Sequence, residues 1–247
     1  MKLESRWTQI RWGAMHARVH RQSVPGRRVI LVHGLVISSR YMEPTAKQLA
    51  ALCDVYAVDL PGYGLSEKPP CVLSLSELAD ALSEWMKTEG LTTADFAANS
   101  FGCQVLAEFA VRHPDHIDRL VLQGPTIDPT ARTFWRQVGR LIKNSQRESP
   151  RLGTIMLRDY ARAGLKRVIQ TVRMALEDRL EDKLPRISMP TLVIRGEHDP
   201  IVPQRWAEEV CRLLPRGQLA VISGAAHTLN YTEPEKFVRA MRSFLNL

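Results

Sequence analysis

This sequence has few of the features that mark secreted, metal-binding or membrane proteins. Its 247 residues include four cysteines, which lie far apart and match neither a CxxC pair nor a zinc-binding spacing. The longest apolar runs, such as Val29–Val32, have the length of a strand and are far too short to span a bilayer. The first seven residues lack the apolar stretch of a secretion signal. We therefore expect a cytoplasmic protein with reduced thiols and no membrane span.

Acidic residues are the minority charge, and the basic excess is unevenly distributed. The chain has 34 lysines and arginines against 26 aspartates and glutamates, a net charge of +8. Because no zinc-finger, ribonucleoprotein-type or helix-turn-helix pattern accompanies this charge, we expect no nucleic-acid partner. Residues 130–189 contain 14 of the basic residues and six of the acidic ones, and so carry the whole net charge. Such a segment either presents a solvated helix face or attracts an anionic partner.

Short apolar runs alternate with helical patterns over most of the chain. Residues 6–21 have the pattern of a β-hairpin, and buried strands are predicted at 28–34, 54–59, 95–98, 119–123, 191–194 and 219–222. Helices are predicted at 75–90, 101–113 and 205–214 and from residue 234 onward. This alternation predicts an α/β fold whose mostly parallel central sheet is flanked by helices.

The alternation is interrupted in residues 129–189, which contain helical patterns but no strand-like run. We predict that this segment is an inserted helical cap over an α/β core formed by residues 1–128 and 190–247. Its apolar residues either line an acyl pocket or seal the cap onto the core, the more usual role. The residues concerned are Phe134, Trp135, Leu141, Ile155, Met156 and Leu157. One predicted helix has Phe134, Val138, Leu141 and Ile142 on a single face.

The most specific local signal is the pentapeptide Ala98-Asn99-Ser100-Phe101-Gly102, where a predicted strand ends and a helix begins. Small residues two positions to either side of a serine permit a sharp turn that lifts the hydroxyl above the sheet. An ordinary N-cap serine is the alternative interpretation. Because a hydroxyl is a weak nucleophile without a base, a catalytic Ser100 requires a histidine and a carboxylate elsewhere in the chain.

A carboxylate and a histidine both follow strands in the second half of the chain. Asp199 lies just past the predicted strand 191–194, and His227 follows the predicted strand 219–222. The carboxyl ends of parallel strands meet at one edge of the sheet, where the sites of open α/β folds form. We therefore predict a catalytic triad with Ser100 as nucleophile, His227 as base and Asp199 as the acid that orients the base.

With these residues the sequence resembles the large α/β-hydrolase family, in particular its small capped esterases, lactonases and carbon–carbon bond hydrolases. The matching motifs are Val32-His33-Gly34, Asp59 to Ser66, Asn99 to Gly102, Gly196 to Asp199, and Gly224 to His227. The chain order Ser, Asp, His is typical of this family. The resemblance implies that the backbone N–H groups of Leu35 and Phe101 contact the substrate as an oxyanion hole. It also implies a scaffold role for His33 and a structural turn at 59–66.

The resemblance leaves a second candidate for the acid. Some members of the family place this residue after the strand that precedes the cap, where the sequence has Asp128. We prefer Asp199, because the segment around it resembles the family more closely. His198 adjoins Asp199 and is interpreted as a neighbour rather than as the base.

The resemblance implies a serine hydrolase that cleaves carboxylic esters through an acyl-enzyme on Ser100, without a metal or organic cofactor. Its partner would be a small-molecule ester, and the basic cap favours an anionic or carrier-bound one. A carbon–carbon bond hydrolase or a lactonase on the same triad is the enzyme alternative. Carbon–carbon hydrolases typically have tryptophan after the catalytic histidine and a glycine-rich oxyanion loop, whereas here Thr228 follows His227 and residues 35–39 lack glycine. A non-catalytic ligand receptor of the same fold is the alternative outside the enzymes.

Overall fold

The computed structural model describes residues 1–23 and 26–247, and within them eight strands form one sheet. The strands are β1 Glu4–Ile10, β2 Gly13–His20, β3 Arg28–Val32, β4 Asp54–Val58, β5 Ala94–Asn99, β6 Ile117–Gln123, β7 Thr191–Gly196 and β8 Gly217–Ile222. Their order across the sheet is β1-β2-β4-β3-β5-β6-β7-β8. The hairpin β1–β2 and the pair β2–β4 are antiparallel, and all the remaining pairs are parallel.

The described residues also form ten α-helices. These are α1 Glu43–Leu49, α2 Leu75–Thr88, α3 Phe101–Arg112, α4 Phe134–Ser145, α5 Pro150–Ala163, α6 Leu165–Glu177, α7 Leu180–Lys183, α8 Gln204–Leu213, α9 Leu229–Thr232 and α10 Pro234–Leu245. Helix α2 begins with a capping box in which Ser74 and Glu77 satisfy each other's backbone N–H groups. The short helices α1 and α9 are additions to the helices expected from the sequence. The predicted α/β architecture with a mostly parallel sheet is confirmed.

The core lies on both faces of the sheet, because the central strands bury apolar side chains on both faces. In β3, Ile30 and Val32 point to the layer that contains α2 and α3, whereas Val29 and Leu31 point to the layer of α1 and α10. A parallel strand that is covered on both faces reads as a continuous apolar run rather than as an alternating one. This burial holds the carboxyl ends of β3 and β5 side by side.

Helices α4–α7 all lie between β6 and β7 in the chain and occupy the helical segment, residues 129–189. Its apolar residues fall into two groups. Ile155 and Met156 are half-buried and pack against the α1–α10 layer of the core. Phe134, Trp135, Leu141 and Leu157 are exposed, Trp135 by 78%. Of the two alternatives for such residues, sealing the segment onto the core does not apply to these four, because their side chains are exposed.

The state of the cysteines and the length of the helices are two further features of the fold. The four cysteines, Cys53, Cys71, Cys103 and Cys211, are free thiols. No helix within the described residues is both long enough and apolar enough to cross a membrane.

Candidate active site

Ser100 occupies a sharp turn between β5 and α3. Its backbone has φ 55° and ψ −121°, in the left-handed region that non-glycine residues seldom adopt. The Ser100 side chain makes no capping hydrogen bond to α3, all of whose residues the structure describes. The interpretation as an ordinary N-cap is therefore wrong. A residue held in a strained backbone conformation costs about 1–3 kcal/mol, and such strain is concentrated at functional sites.

The turn is possible because glycine allows the adjacent backbone segments to approach closely. A methyl group at Gly102 would lie 2.5 Å from the carbonyl oxygen of His33 and 2.9 Å from that of Val32. A methyl group at Gly34 would lie 3.5 Å from Ser100 Cβ. The loop after β3 therefore runs directly beside the serine.

The loop after β3 and the start of α3 each have a backbone N–H group without a backbone acceptor among the described residues. Phe101 is the first residue of α3, so its N–H has no intrahelical acceptor, and the positive end of the helix dipole lies there. The N–H of Leu35 bonds to no backbone carbonyl of the described residues. Val36, which follows it, has φ 54°, a second strained position beside the same turn. The arrangement suits an oxyanion hole.

His227 and Asp199 are joined by a buried hydrogen bond. His227 Nδ1 lies 2.8 Å from Asp199 Oδ2, and both side chains are almost fully buried. The other carboxylate oxygen of Asp199 accepts from the N–H groups of Ile201 at 2.8 Å and Val202 at 3.0 Å. Among the described residues, His227 Nε2 is buried and has no hydrogen-bond partner. An imidazole held in this way has one ring nitrogen fixed by a carboxylate and the other available as a base.

The loop that carries His227 is fixed by Asn99, which belongs to the pentapeptide around Ser100, and by two residues at the end of β6 that no sequence motif indicated. The His227 carbonyl accepts from Gln123 Nε2 at 2.7 Å and from Asn99 Nδ2 at 3.3 Å. A methyl group at Gly124, whose φ is 58°, would lie 2.9 Å from His227 Cε1. Gly124 thus leaves the space that the imidazole occupies. Adjacent glutamine and glycine at the end of β6 carry no recognisable sequence motif, so only the packing reveals their role.

The pKa of His227 is raised above its ordinary value. Burial alone would lower it, but the charge and hydrogen bond of Asp199, together with the charge of Glu148, outweigh burial. The imidazolium form is thereby stabilised, as a base that must hold a proton transiently requires.

Asp128, the alternative acid, makes no hydrogen bond to His227 among the described residues. Its carboxylate accepts from Arg140 Nη2 at 2.8 Å, from Arg205 and from the N–H of Thr130 at 3.0 Å. Burial tends to raise the pKa of Asp128, but these hydrogen bonds lower it to about 2. Asp128 therefore ties α4 to α8 rather than orienting an imidazole.

The other histidines near the site have different surroundings. His33 is fully buried, with Nδ1 donating to Gly34 O at 2.9 Å and Nε2 accepting from Leu60 N at 3.1 Å. Both ring nitrogens are engaged, and burial lowers the pKa of the ring, which suits a scaffold role. His198 is exposed to solvent. Asp59 is buried and accepts from His16 Nδ1 and from Leu65 N, so the turn at 59–66 is held from within.

A basic groove lies beside the loop of Asp199. Its volume is about 660 Å³, and α4 contributes Arg136, Arg140 and Lys143 to its wall. Pro200 and Pro203 form part of the opposite side. Across the described residues, no three His, Cys, Asp or Glu side chains are grouped so as to hold a metal ion.

An eight-stranded, mostly parallel sheet with a serine turn after a central strand defines the α/β-hydrolase fold. The chain belongs to the alpha/beta hydrolase family, whose model matches residues 29–240.

Similar proteins include several esterases. The pimeloyl-[acyl-carrier protein] methyl ester esterase of Vibrio cholerae is 27% identical over 245 residues, which cover 89% of this chain and 94% of that protein. Esterase YbfF of Escherichia coli is 22% identical, with 88% of this chain and 92% of that protein covered. The structure of a thermophilic esterase from Thermogutta terrifontis is similar with a TM-score of 0.81 at 23% identity, covering 100% of this chain and 98% of that one. Membership of a hydrolase family with esterase relatives supports a hydrolase.

Proposed function

We propose that this protein is a serine hydrolase that cleaves carboxylic esters through an acyl-enzyme on Ser100. In this proposal His227 is the general base, and Asp199 orients it. The observation that carries the proposal is the 2.8 Å hydrogen bond between His227 Nδ1 and Asp199 Oδ2. It leaves Nε2, which has no partner among the described residues, as the atom that can accept the Ser100 proton.

Acylation would begin when Ser100 Oγ attacks the carbonyl carbon of the ester while His227 Nε2 takes the hydroxyl proton. The electron pair of the carbonyl double bond moves to its oxygen, which accepts hydrogen bonds from the N–H groups of Leu35 and Phe101. Each such donor contributes about 3–4 kcal/mol to the stability of the transition state. The bond to the alcohol oxygen then breaks, and His227 returns its proton to the departing alcohol.

Deacylation would repeat these steps with water as the nucleophile. His227 Nε2 takes a proton from the water while its oxygen attacks the acyl carbon, and the oxyanion is held as before. The bond to Ser100 Oγ then breaks, and Oγ recovers the proton from His227. Asp199 stabilises the imidazolium in both halves of the reaction.

The substrate we propose is a small-molecule ester that is anionic or bound to an acidic carrier. The groove beside Asp199 supports this, because α4 contributes three basic side chains to it, of which Arg136 and Lys143 are not paired with Asp128. A similar protein is named as an esterase of an acyl-carrier-protein ester. We further propose that the helical segment is a cap over a core formed by residues 1–128 and 190–247. Its Asn144 accepts a hydrogen bond from the N–H of His227 at 3.3 Å, which supports a position over the site.

The proposal is tested by a panel of p-nitrophenyl esters of increasing acyl length, with Ser100→Ala as the central variant. We expect Ser100→Ala to lower kcat by about 10⁶-fold, the loss found for a triad nucleophile, with an unchanged melting temperature. Ser243→Ala, on the exposed side of α10, is the matched control and should keep full activity. A fluorophosphonate should label the wild-type protein at Ser100, as determined by peptide mass spectrometry.

Other outcomes would replace the proposal. Activity retained by Ser100→Ala, with labelling at Cys103 instead, would remove the serine from the mechanism. Faster turnover of lactones or of a meta-cleavage product through Ser100 would identify the protein as a lactonase or as a carbon–carbon bond hydrolase. Ligand binding without turnover or labelling would favour the receptor.

A further inference from the structure

A second carboxylate reaches the His227 loop from the helical segment. Glu148 lies between α4 and α5, and its Oε1 accepts from Thr228 N at 3.1 Å while Oε2 accepts from Thr228 Oγ1. Asn144 Oδ1 accepts from His227 N at 3.3 Å, and Asn144 Nδ2 donates to Glu148 Oε1 at 2.8 Å. Asn144 is buried although the rest of α4 is half-buried or exposed. Two side chains of the helical segment therefore hold the backbone at residues 227 and 228.

The core holds the same loop from the other side. Gln123 and Asn99 bind the His227 carbonyl, and Asp199 binds the ring. The base is thus fixed between the sheet and the helical segment, which makes Glu148 part of its immediate support.

The charges that act on the imidazole are those of Asp199 and Glu148, and burial raises the pKa of the Glu148 carboxyl itself. Tyr41 bonds to Asn99, and the Cys103 thiol donates to the Gln123 carbonyl at 3.4 Å, so each shares a partner with the His227 loop. Burial raises the pKa of both Tyr41 and Cys103, so both are neutral. The loop after β6 presents Gly124 to the ring. The carboxylate further along that loop, Asp128, is paired with arginines and does not contact His227.

We propose that Glu148 is a positioning residue for the base: it holds the His227 loop and adds a second negative charge that stabilises the imidazolium formed during catalysis. The inference rests on the proposed function, since it assigns His227 as the base. On this proposal the helical segment contributes to the support of the base.

The charge has a definite consequence for pH dependence. Because a nearby negative charge favours the protonated ring, its removal lowers the pKa of His227. The rate rises with pH as the ring loses its proton, so the midpoint of that rise moves to lower pH when the charge is removed. A residue with only a structural role would change the rate without moving the midpoint.

The test uses Glu148→Gln, which keeps an acceptor oxygen for Thr228 but removes the charge, and Glu148→Asp, which keeps the charge but withdraws it from Thr228. The readout is the rate of Ser100 phosphonylation by a p-nitrophenyl phosphonate between about pH 5 and 9. For Glu148→Gln we expect a midpoint lower by about half a pH unit and a high-pH rate reduced roughly fivefold. For Glu148→Asp we expect a reduced rate and a midpoint near that of the wild type.

The matched control is Glu177→Gln, which removes the exposed partner of Arg173 in the same segment and should change neither quantity. An unmoved midpoint in Glu148→Gln would overturn the proposed charge effect, whatever the rate. An unchanged rate in Glu148→Asp would overturn the proposal that Glu148 positions the His227 loop. If Glu148→Gln does not fold, the rate of Glu148→Asp is the measurement that tests the proposal. A wild-type protein that is not phosphonylated at Ser100 would overturn the proposed function as well, whereas a normal wild-type profile with unresponsive variants would overturn this inference alone.

Discussion

The loops that follow β6 and β7 each carry a buried aspartate, and the two have different partners. Asp128, after β6, is bound by the guanidinium groups of Arg140 and Arg205, which are always charged. Asp199, after β7, is bound by two backbone N–H groups and by the ring of His227, whose charge depends on its proton. The residue type and the position at the strand edge therefore do not determine the role of either aspartate. The partner does: arginines make Asp128 a tie between helices, and an imidazole makes Asp199 a candidate catalytic acid.

The largest expected difference between the two aspartates is in activity. We expect Asp199→Asn to lower kcat/KM for a p-nitrophenyl ester by about 10⁴-fold, because an amide facing Nδ1 favours the wrong imidazole tautomer. We expect Asp128→Asn to change kcat/KM by less than about threefold, because it contacts no proposed catalytic group. Both are measured by steady-state kinetics on folded protein at the same pH. Losses in the reverse order would place the acid after β6.

The expected order is inverted for stability. Asp128→Asn should lower the free energy of unfolding by about 2–4 kcal/mol, since it leaves Arg140 and Arg205 without their carboxylate. Urea unfolding followed by circular dichroism measures this change. Asp182→Asn, which removes an exposed partner of Arg179 in the same helical segment, is the control and should have a much smaller effect.

The same pair predicts how stability responds to acid. The pKa of Asp128 is lowered to about 2 in the folded protein, so its contribution is present above the ordinary carboxyl pKa and is lost as pH falls toward 2. The stability difference between wild type and Asp128→Asn should therefore be constant from about pH 7 to 5 and narrow below about pH 4. A difference that does not narrow would mean that the arginines do not account for the effect of the substitution.

The smallest expected effect concerns the groove between these two loops. If its basic residues attract an anionic ester, kcat/KM for that ester should fall severalfold between about 20 and 500 mM salt, while a neutral ester of similar size should hardly respond. The double variant Arg136→Gln/Lys143→Gln should reproduce the effect of salt for the anionic ester and leaves the Asp128 pair intact.

The control for this measurement keeps the change in charge but moves it away from the groove. Arg151→Gln/Arg158→Gln alters two exposed positions on α5 that do not line the groove, and it should leave both esters unaffected. Equal salt dependence for the charged and neutral esters would mean that the basic residues form a solvated helix face and do not attract the substrate.

The carboxyl edge of the sheet was the part of the molecule that could be predicted best from the sequence. The strands predicted around residues 95–98 and 191–194 correspond to β5 and β7, because apolar runs between turn residues are local signals. The proposed roles of Ser100, Asp199 and His227 stay predictions until they are tested, yet the structure brings Asp199 and His227 within hydrogen-bond distance. The sequence did not indicate Gly124, whose role depends on the space taken by a histidine about a hundred residues later.

The helical segment was less predictable. Its amphipathic pattern correctly indicated helices, but it left open whether the apolar residues line an acyl pocket or seal the segment onto the core, and Phe134 and Trp135 are exposed. An amphipathic pattern indicates that a helix has an apolar face, but it does not indicate which part of the protein covers that face.

The alternation of strands and helices, the tight turn at Ser100 and the order of the polar residues at the strand ends could all be predicted from the amino-acid sequence. Each of these depends on neighbouring residues, through apolar periodicity, backbone sterics and turn chemistry. Three contacts became visible in the tertiary structure alone. Arginines from α4 and α8 bind Asp128, and the imidazole of His227 faces Asp199. Glu148 binds Thr228, which lies 80 positions later in the chain. These contacts join segments whose spacing along the chain has no fixed period, so they arise from packing and leave no local pattern to read.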